Sequence, residues 1–177
     1  QLESGSKEQA NSIINEMLNS DNEIIQATAL KRLIYNDSIL TQEKLIQFLH
    51  NDGHIISNVA LTIAETRNDD ELIPAIISNL DLPKTSLQAR QTLSKYPDEI
   101  ILNQFESLLS SDDTPRRLCL GTIRALREHP DDRSIGLLMS QLKSTDQDVY
   151  NESVDSLLAI ARIEPLNKEN IKNISHE

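Results

Sequence analysis

The feature that most constrains this chain is a repeat of about thirty residues. An apolar residue followed four positions later by leucine recurs at Ile14/Leu18, Leu45/Leu49, Ile76/Leu80, Phe105/Leu109 and Leu138/Leu142, the leucines lying 31, 31, 29 and 33 positions apart. A polar turn follows each pair: Asp21-Asn22, Asn51-Asp52-Gly53, Asp81, Asp112-Asp113-Thr114 and Asp146. Beyond each turn a small residue precedes an apolar one by four, at Ala29/Leu33, Ala60/Ala64, Ala89/Leu93, Cys119/Ile123 and Ser153/Leu157. Two marker series that stay in step along a chain mean tandem units, each hiding its apolar face only against the next.

Spacing by four places both members of each pair on one face of a helix, so every unit reads as two helices joined by a turn. The small residue lets the second helix of a unit approach the first closely. Asp and Asn in the turns accept the orphan N–H groups of a helix start, worth roughly 0.5–2 kcal/mol per cap. A second cap series, Asn68-Asp69-Asp70, Pro97-Asp98 and Pro130-Asp131-Asp132, separates the units, and Pro83 and Pro115 fit first-turn positions. The predicted helices are 7–19 and 22–36, 41–50 and 54–67, 70–80 and 83–96, 99–110 and 115–128, and 132–143 and 147–162. A further short helix is expected near Asn167, carrying Ile171 and Ile174.

The expected fold is therefore all-α: a right-handed α-solenoid of about five helix pairs, an α-α superhelix. As one repeat domain over 1–177, its units are 7–38, 39–68, 69–97, 98–130 and 131–163, with 164–177 a C-terminal cap or the start of a sixth. Four glycines and six prolines are too few for a loop-rich sandwich or a Gly-dependent nucleotide fold, which agrees with helices.

The resemblance is carried most clearly by residues 129–161, which open His-Pro-Asp-Asp-Arg and continue through Ile135-Gly-Leu-Leu-Met-Ser-Gln-Leu142 to Asp148-Val-Tyr-Asn-Glu and Ser156-Leu-Leu-Ala-Ile-Ala161. This stretch resembles one unit of the HEAT-like repeats first noted in phycobilisome lyases, and the likeness extends over residues 7–163. That family has Val-Arg early in its second helix. Here the positions hold Ile25-Gln26, Ile56-Ser57, Thr85-Ser86, Pro115-Arg116 and Val149-Tyr150, so one repeat keeps the arginine. The resemblance implies a scaffold and no particular activity.

No constellation for chemistry stands out. His50 and His54 have the spacing of a metal pair, but Asn51-Asp52-Gly53 between them reads as a turn. Some HEAT-like hydroxylases hold iron with His-Glu pairs; the one such dipeptide here is the terminal His176-Glu177. Asp69-Asp70, Asp112-Asp113 and Asp131-Asp132 read as helix caps rather than acid–base pairs. Cys119 fits a small buried slot, and no phosphate loop, nucleophile elbow or Cys-x-x-Cys is present. No catalytic residue, metal or cofactor is expected.

A formal charge of −11, no tryptophan and three tyrosines argue against a nucleic-acid groove of the kind that HEAT-like DNA glycosylases use. No apolar run reaches the roughly 20 residues that span a bilayer, and no signal peptide is visible. A single cysteine is compatible with a reducing, cytoplasmic setting. The opening Gln1 fits a mature product or a module of a longer chain.

What remains is surface. Counted along each second helix, the outward positions are Ala27, Lys31 and Ile34; Asn58, Thr62 and Glu65; Leu87, Gln91 and Ser94; Arg117, Gly121 and Arg124; and Asn151, Asp155 and Leu158. Arg116 and Arg127 join Arg117 and Arg124 within about 100° of arc. Gly121 between them leaves a gap where a carboxylate or phosphate would be gripped, unless Glu152 and Asp155 of the next unit already pair with the arginines. The expected function is a non-catalytic scaffold binding a protein or peptide on this face. The alternatives are a bilin-lyase-like enzyme or chaperone handling a chromophore, and a structural spacer without a partner.

Overall fold

A computed structural model describes residues 2–35 and 38–163, without the side chains of 2–8 and Ile163. The expected helix near Asn167, the cap over 164–177 and His176-Glu177 lie outside these residues. Among the described residues the chain is all-α, with ten α-helices and no strand. It divides into two compact units, Gln1–Tyr96 and Pro97–Glu177.

In the first unit α1 (Leu2–Leu18) packs on α2 (Glu23–Arg32), α3 (Gln42–Leu49) on α4 (His54–Arg67), and α5 (Ile73–Ser78) on α6 (Ser86–Leu93). The second helices form one layer, α2 against α4 and α4 against α6, while α3 meets α5 on the other side. The predicted helix over 70–80 is α5 flanked by 3-10 turns, Asp70–Leu72 and Asn79–Asp81. Pro74, in the first turn of α5, removes an N–H from the ladder there. The predicted 22–36 helix stops at Arg32.

The second unit repeats the plan. Its α7 (Asp98–Leu109) packs on α8 (Arg116–Ala125), and α9 (Asp132–Gln141) on α10 (Gln147–Ile163); α7 meets α9 and α8 meets α10. A 3-10 turn, Leu126–Glu128, extends α8.

The paired apolar markers make the core. Leu45, Leu49, Ile76, Phe105 and Leu138 are fully buried, as are Leu33, Ala60, Ala64, Ala89, Leu93 and Ile123. Each buried leucine or isoleucine contributes about 1.5–3 kcal/mol relative to exposure. Leu109 and Leu142 are half-buried. One expectation fails. Cys119 is only half-buried, and α8 buries Gly121, Thr122, Ile123 and Ala125 instead. Partial burial still raises the Cys119 thiol pKa, with Asp146 adding to the shift.

Several polar side chains inside each unit donate to a backbone carbonyl one repeat away. Asn79 Nδ2 donates to Leu49 O at 2.9 Å, Thr92 Oγ1 to Leu61 O at 3.4 Å and Tyr96 Oη to Ala64 O at 3.1 Å. In the second unit Gln141 Nε2 donates to Leu109 O at 3.4 Å and Ser156 Oγ to Ile123 O at 3.3 Å. These partners stand 30–33 positions apart, so each bond ties one helix pair to the preceding one. Inter-helix turns close through another recurring bond, a hydroxyl donating to the carbonyl six residues back: Ser57 to Asn51, Thr85 to Asn79 and Thr114 to Leu108.

Caps follow the sequence in part. Asn22 Oδ1 accepts from Ile24 N and Ile25 N, Asp69 from Glu71 N, Asp131 from Ser134 N, and Asp146 from Asp148 N and Val149 N. The pair Asp112-Asp113 caps nothing, because Pro115 takes the position before α8. The start of α4 is capped from the neighbouring repeat: Glu23 Oε1 accepts from Ile55 N at 2.6 Å. Gly53 makes room for it, since a Cβ there would lie 2.6 Å from that oxygen.

Tyr96 supplies a pH test. Burial, reinforced by the charges of Asp69 and Asp70, pushes its phenol above the ordinary range. An unfolded tyrosine ionises near pH 10, so its stabilising contribution is complete below that value and drains away as pH rises beyond it. Tyr96→Phe is expected to cost about 1 kcal/mol at pH 7 and to flatten the loss of stability above about pH 10. Urea titrations at both pH values check this; parallel alkaline slopes in the two proteins would contradict it.

Candidate functional site

In the first unit the second-helix layer presents Lys31, Thr62 and Gln91 as exposed side chains on α2, α4 and α6. Asn58, Glu65 and Ser94 are half-exposed beside them. The Thr62 hydroxyl donates to Asn58 O within its own helix, Ser94 Oγ to Gln91 O, and Asn58 Nδ2 to Lys84 O at 3.4 Å. Lys31 lines a shallow depression of about 400 Å³ with Thr28 and Arg32. Leu87 is 58% exposed, whereas Ala27, expected to face outward, is buried.

The second unit brings the arginines together and neutralises most of them. Arg116 Nε lies 2.5 Å from Asp146 Oδ2, its Nη2 lies 2.9 Å from Oδ1, and it also bonds Asp148. Arg124 meets Glu152 Oε2 through Nε at 2.8 Å and Nη2 at 2.6 Å. Arg127 bonds the other oxygen of the same carboxylate and donates to Ser156 Oγ at 2.9 Å. Glu152 is thus held between two guanidiniums. Bonding to Arg116 lowers the Asp146 carboxyl to about 2 and raises the guanidinium in turn.

Two expectations change. Gly121 is buried, so it opens no gap between Arg117 and Arg124. Asp155 is exposed and pairs with no arginine among the described residues; Asp146 and Asp148 are the partners that the helical-arc reading missed. Their signal in the sequence was position, since the first residue of one second helix lies beside the turn that starts the next. Arg117 is exposed without an ion-pair partner among the described residues, and Asn151 is exposed on α10.

Away from this face, His129 is buried, its Nδ1 2.6 Å from Asp98 Oδ1 and its ring edge-on to Phe105. His50 is exposed after α3 and His54 half-buried at the start of α4. Among the described residues no three His, Cys, Asp or Glu side chains cluster as metal ligands, and no helix is long and apolar enough to cross a membrane.

No protein-family model matches this chain, and no curated protein is similar to it. Among solved structures, the crystal structure of an engineered protein is similar at 20% identity and a TM-score of 0.43, over 86% of this chain and 79% of that chain.

Proposed function

We propose that the chain is a HEAT-like repeat scaffold, non-catalytic, that holds a protein or peptide on the surface of its second helices. The observation that carries this reading is the row Lys31, Thr62 and Gln91. These side chains stand exposed on three adjacent helices, and none makes a hydrogen bond or ion pair with another helix among the described residues. The cross-repeat bonds of this unit's core, from Asn79, Thr92 and Tyr96, are made without them. Side chains repeated at one position on stacked helices, with no structural duty, suit contact with an elongated partner.

In the second unit the contact residue is Arg117. Arg116, Arg124 and Arg127 are engaged by acids of the next helix pair, so they hold the repeats together. The chromophore-handling alternative would rely on this arginine rung, of which Arg117 alone has no ion-pair partner among the described residues.

Selection of a displayed peptide library against the immobilised chain tests the proposal. Selected peptides are expected to bind the double variant Lys31→Glu/Gln91→Glu at least about tenfold more weakly, or to lose about threefold with Arg117→Glu, helicity being unchanged in both. A library that enriches nothing, or binders indifferent to both variants, would return the spacer reading.

A further inference from the structure

The outer edge of the first unit carries a row of apolar side chains that the core does not use. Ile24, Ile55 and Leu87 are each the second residue of their helix, α2, α4 and α6, and are 65%, 37% and 58% exposed. Ile25 and Leu82 widen the row at its two ends, at 40% and 44%. Glu23 Oε1 accepting from Ile55 N joins the first turns of α2 and α4, and Asn58 Nδ2 donating to Lys84 O joins α4 to the approach to α6, so that Leu87, which matches Ala27 and Asn58 in repeat position, continues the row about one turn further along its helix. In the second unit the same position holds Arg117 and Asp148, so the apolar row belongs to the first unit alone.

Charge lies beside it. Asp21 and Asp52, both exposed, occupy the turns that lead into α2 and α4. Neither makes a hydrogen bond or ion pair among the described residues, unlike Glu23, which is committed to the start of α4. Lys84, exposed at the α6 end, is the one lysine or arginine in the three approaches to α2, α4 and α6 among the described residues. An apolar strip with acids along two of its three rungs complements an apolar face bordered by basic residues.

We infer that this edge docks a cationic amphipathic helix, with lysine or arginine over Asp21 and Asp52. Stacked helices stand about 8–10 Å apart, and a helix presents the same side every seven residues, about 10.5 Å along its axis. A partner helix laid across α2, α4 and α6 therefore places one apolar residue per heptad on each rung. The inference deepens the scaffold reading and rests on it, but it uses different residues from the Lys31–Thr62–Gln91 row.

The test is fluorescence anisotropy with a labelled peptide of roughly eighteen residues, leucines about seven apart and lysines bordering them. Binding to the native chain is expected, weakened about tenfold or more by Ile24→Ser/Ile55→Ser/Leu87→Ser. A loss of about threefold, with a flatter salt dependence, is expected from Asp21→Asn/Asp52→Asn. Leu87→Ser alone, at a 58% exposed position, gives a graded loss with folding checked by circular dichroism. Equal binding of a peptide with glutamates for lysines, or unchanged binding by the triple variant, overturns the inference. So does sedimentation showing self-association that the triple variant abolishes, because the strip is then covered by a second copy. If library-selected peptides still depend on Lys31 and Gln91 while the lysine-bordered helix does not bind, this inference falls and the scaffold reading stands.

Discussion

Phe105→Ala is expected to lower the melting temperature by roughly 10 °C. Phe105 is fully buried in α7 and is the largest fully enclosed side chain among the described residues. It meets the buried ring of His129 edge-on, with centroids 6.1 Å apart and planes at 79°. Truncating a buried phenylalanine removes its transfer free energy and leaves a cavity, together about 3–5 kcal/mol. Near the midpoint, each kcal/mol moves the transition by about 2–4 °C for a chain of this size. Phe105→Leu retains most of the volume and should lose about a third as much. Calorimetry of the three proteins checks the ordering. A shift under about 2 °C for Phe105→Ala would mean that the apolar member of the fourth pair does not anchor its helix.

That prediction rests on a residue whose role was readable beforehand, and the reason is instructive. Phe105, Leu45, Ile76 and Leu138 were marked by periodicity, and burial by helix–helix packing follows periodicity closely. Cys119 and Gly121 were misplaced although α8 begins within one residue of its expected start and Ile123, the apolar member of the pair, is buried as expected. The 34-residue gap from Cys119 to Ser153, against 29–31 elsewhere, was the available sign. Thr122 stands 31 before Ser153, and it is Thr122 that is fully buried. It tolerates burial by turning its hydroxyl to Leu118 O at 2.9 Å.

Residues that bind across repeats were harder to read. Asn79, Thr92 and Tyr96 are polar types in the core, and their partners are backbone carbonyls that every sequence possesses equally. Only coordinates reveal which carbonyl is within reach. The arginine cluster shows the same limit. Glu152 was named beforehand, with Asp155, as a partner from the next unit, whereas Asp146 and Asp148 lie at the start of α10, where the capping turn rather than the helix wheel sets direction. The exposed rungs were legible as surface, and Lys31, Thr62 and Gln91 are exposed, but what meets them is not encoded in this chain.

Glu152 controls whether the arginines serve the fold or a ligand. Its carboxylate is mostly enclosed, 14% exposed, and is shared by Arg124 and Arg127, which are 43% and 27% exposed. Glu152→Gln keeps the shape, removes the charge and leaves two guanidiniums side by side with one neutral oxygen between them. Partial exposure of the arginines tempers the penalty that a fully buried unpaired charge would bring, so about 2 kcal/mol of stability should be lost. The same change should create an anion site, because Arg124 and Arg127 then present N–H donors with no carboxylate to fill them, and Arg117 lies on the same helix. Sulfate stabilises folded proteins generally, so the informative quantity is the excess stabilisation of the variant over the native chain at equal ionic strength. Melting in sulfate and in chloride should show that excess for Glu152→Gln and should show it shrink in Glu152→Gln/Arg124→Gln. Equal sulfate responses would mean that the guanidiniums, once released, turn to water and do not converge on an anion. A melting temperature unchanged by Glu152→Gln would mean that this paired carboxylate does not help to hold α8 against α10.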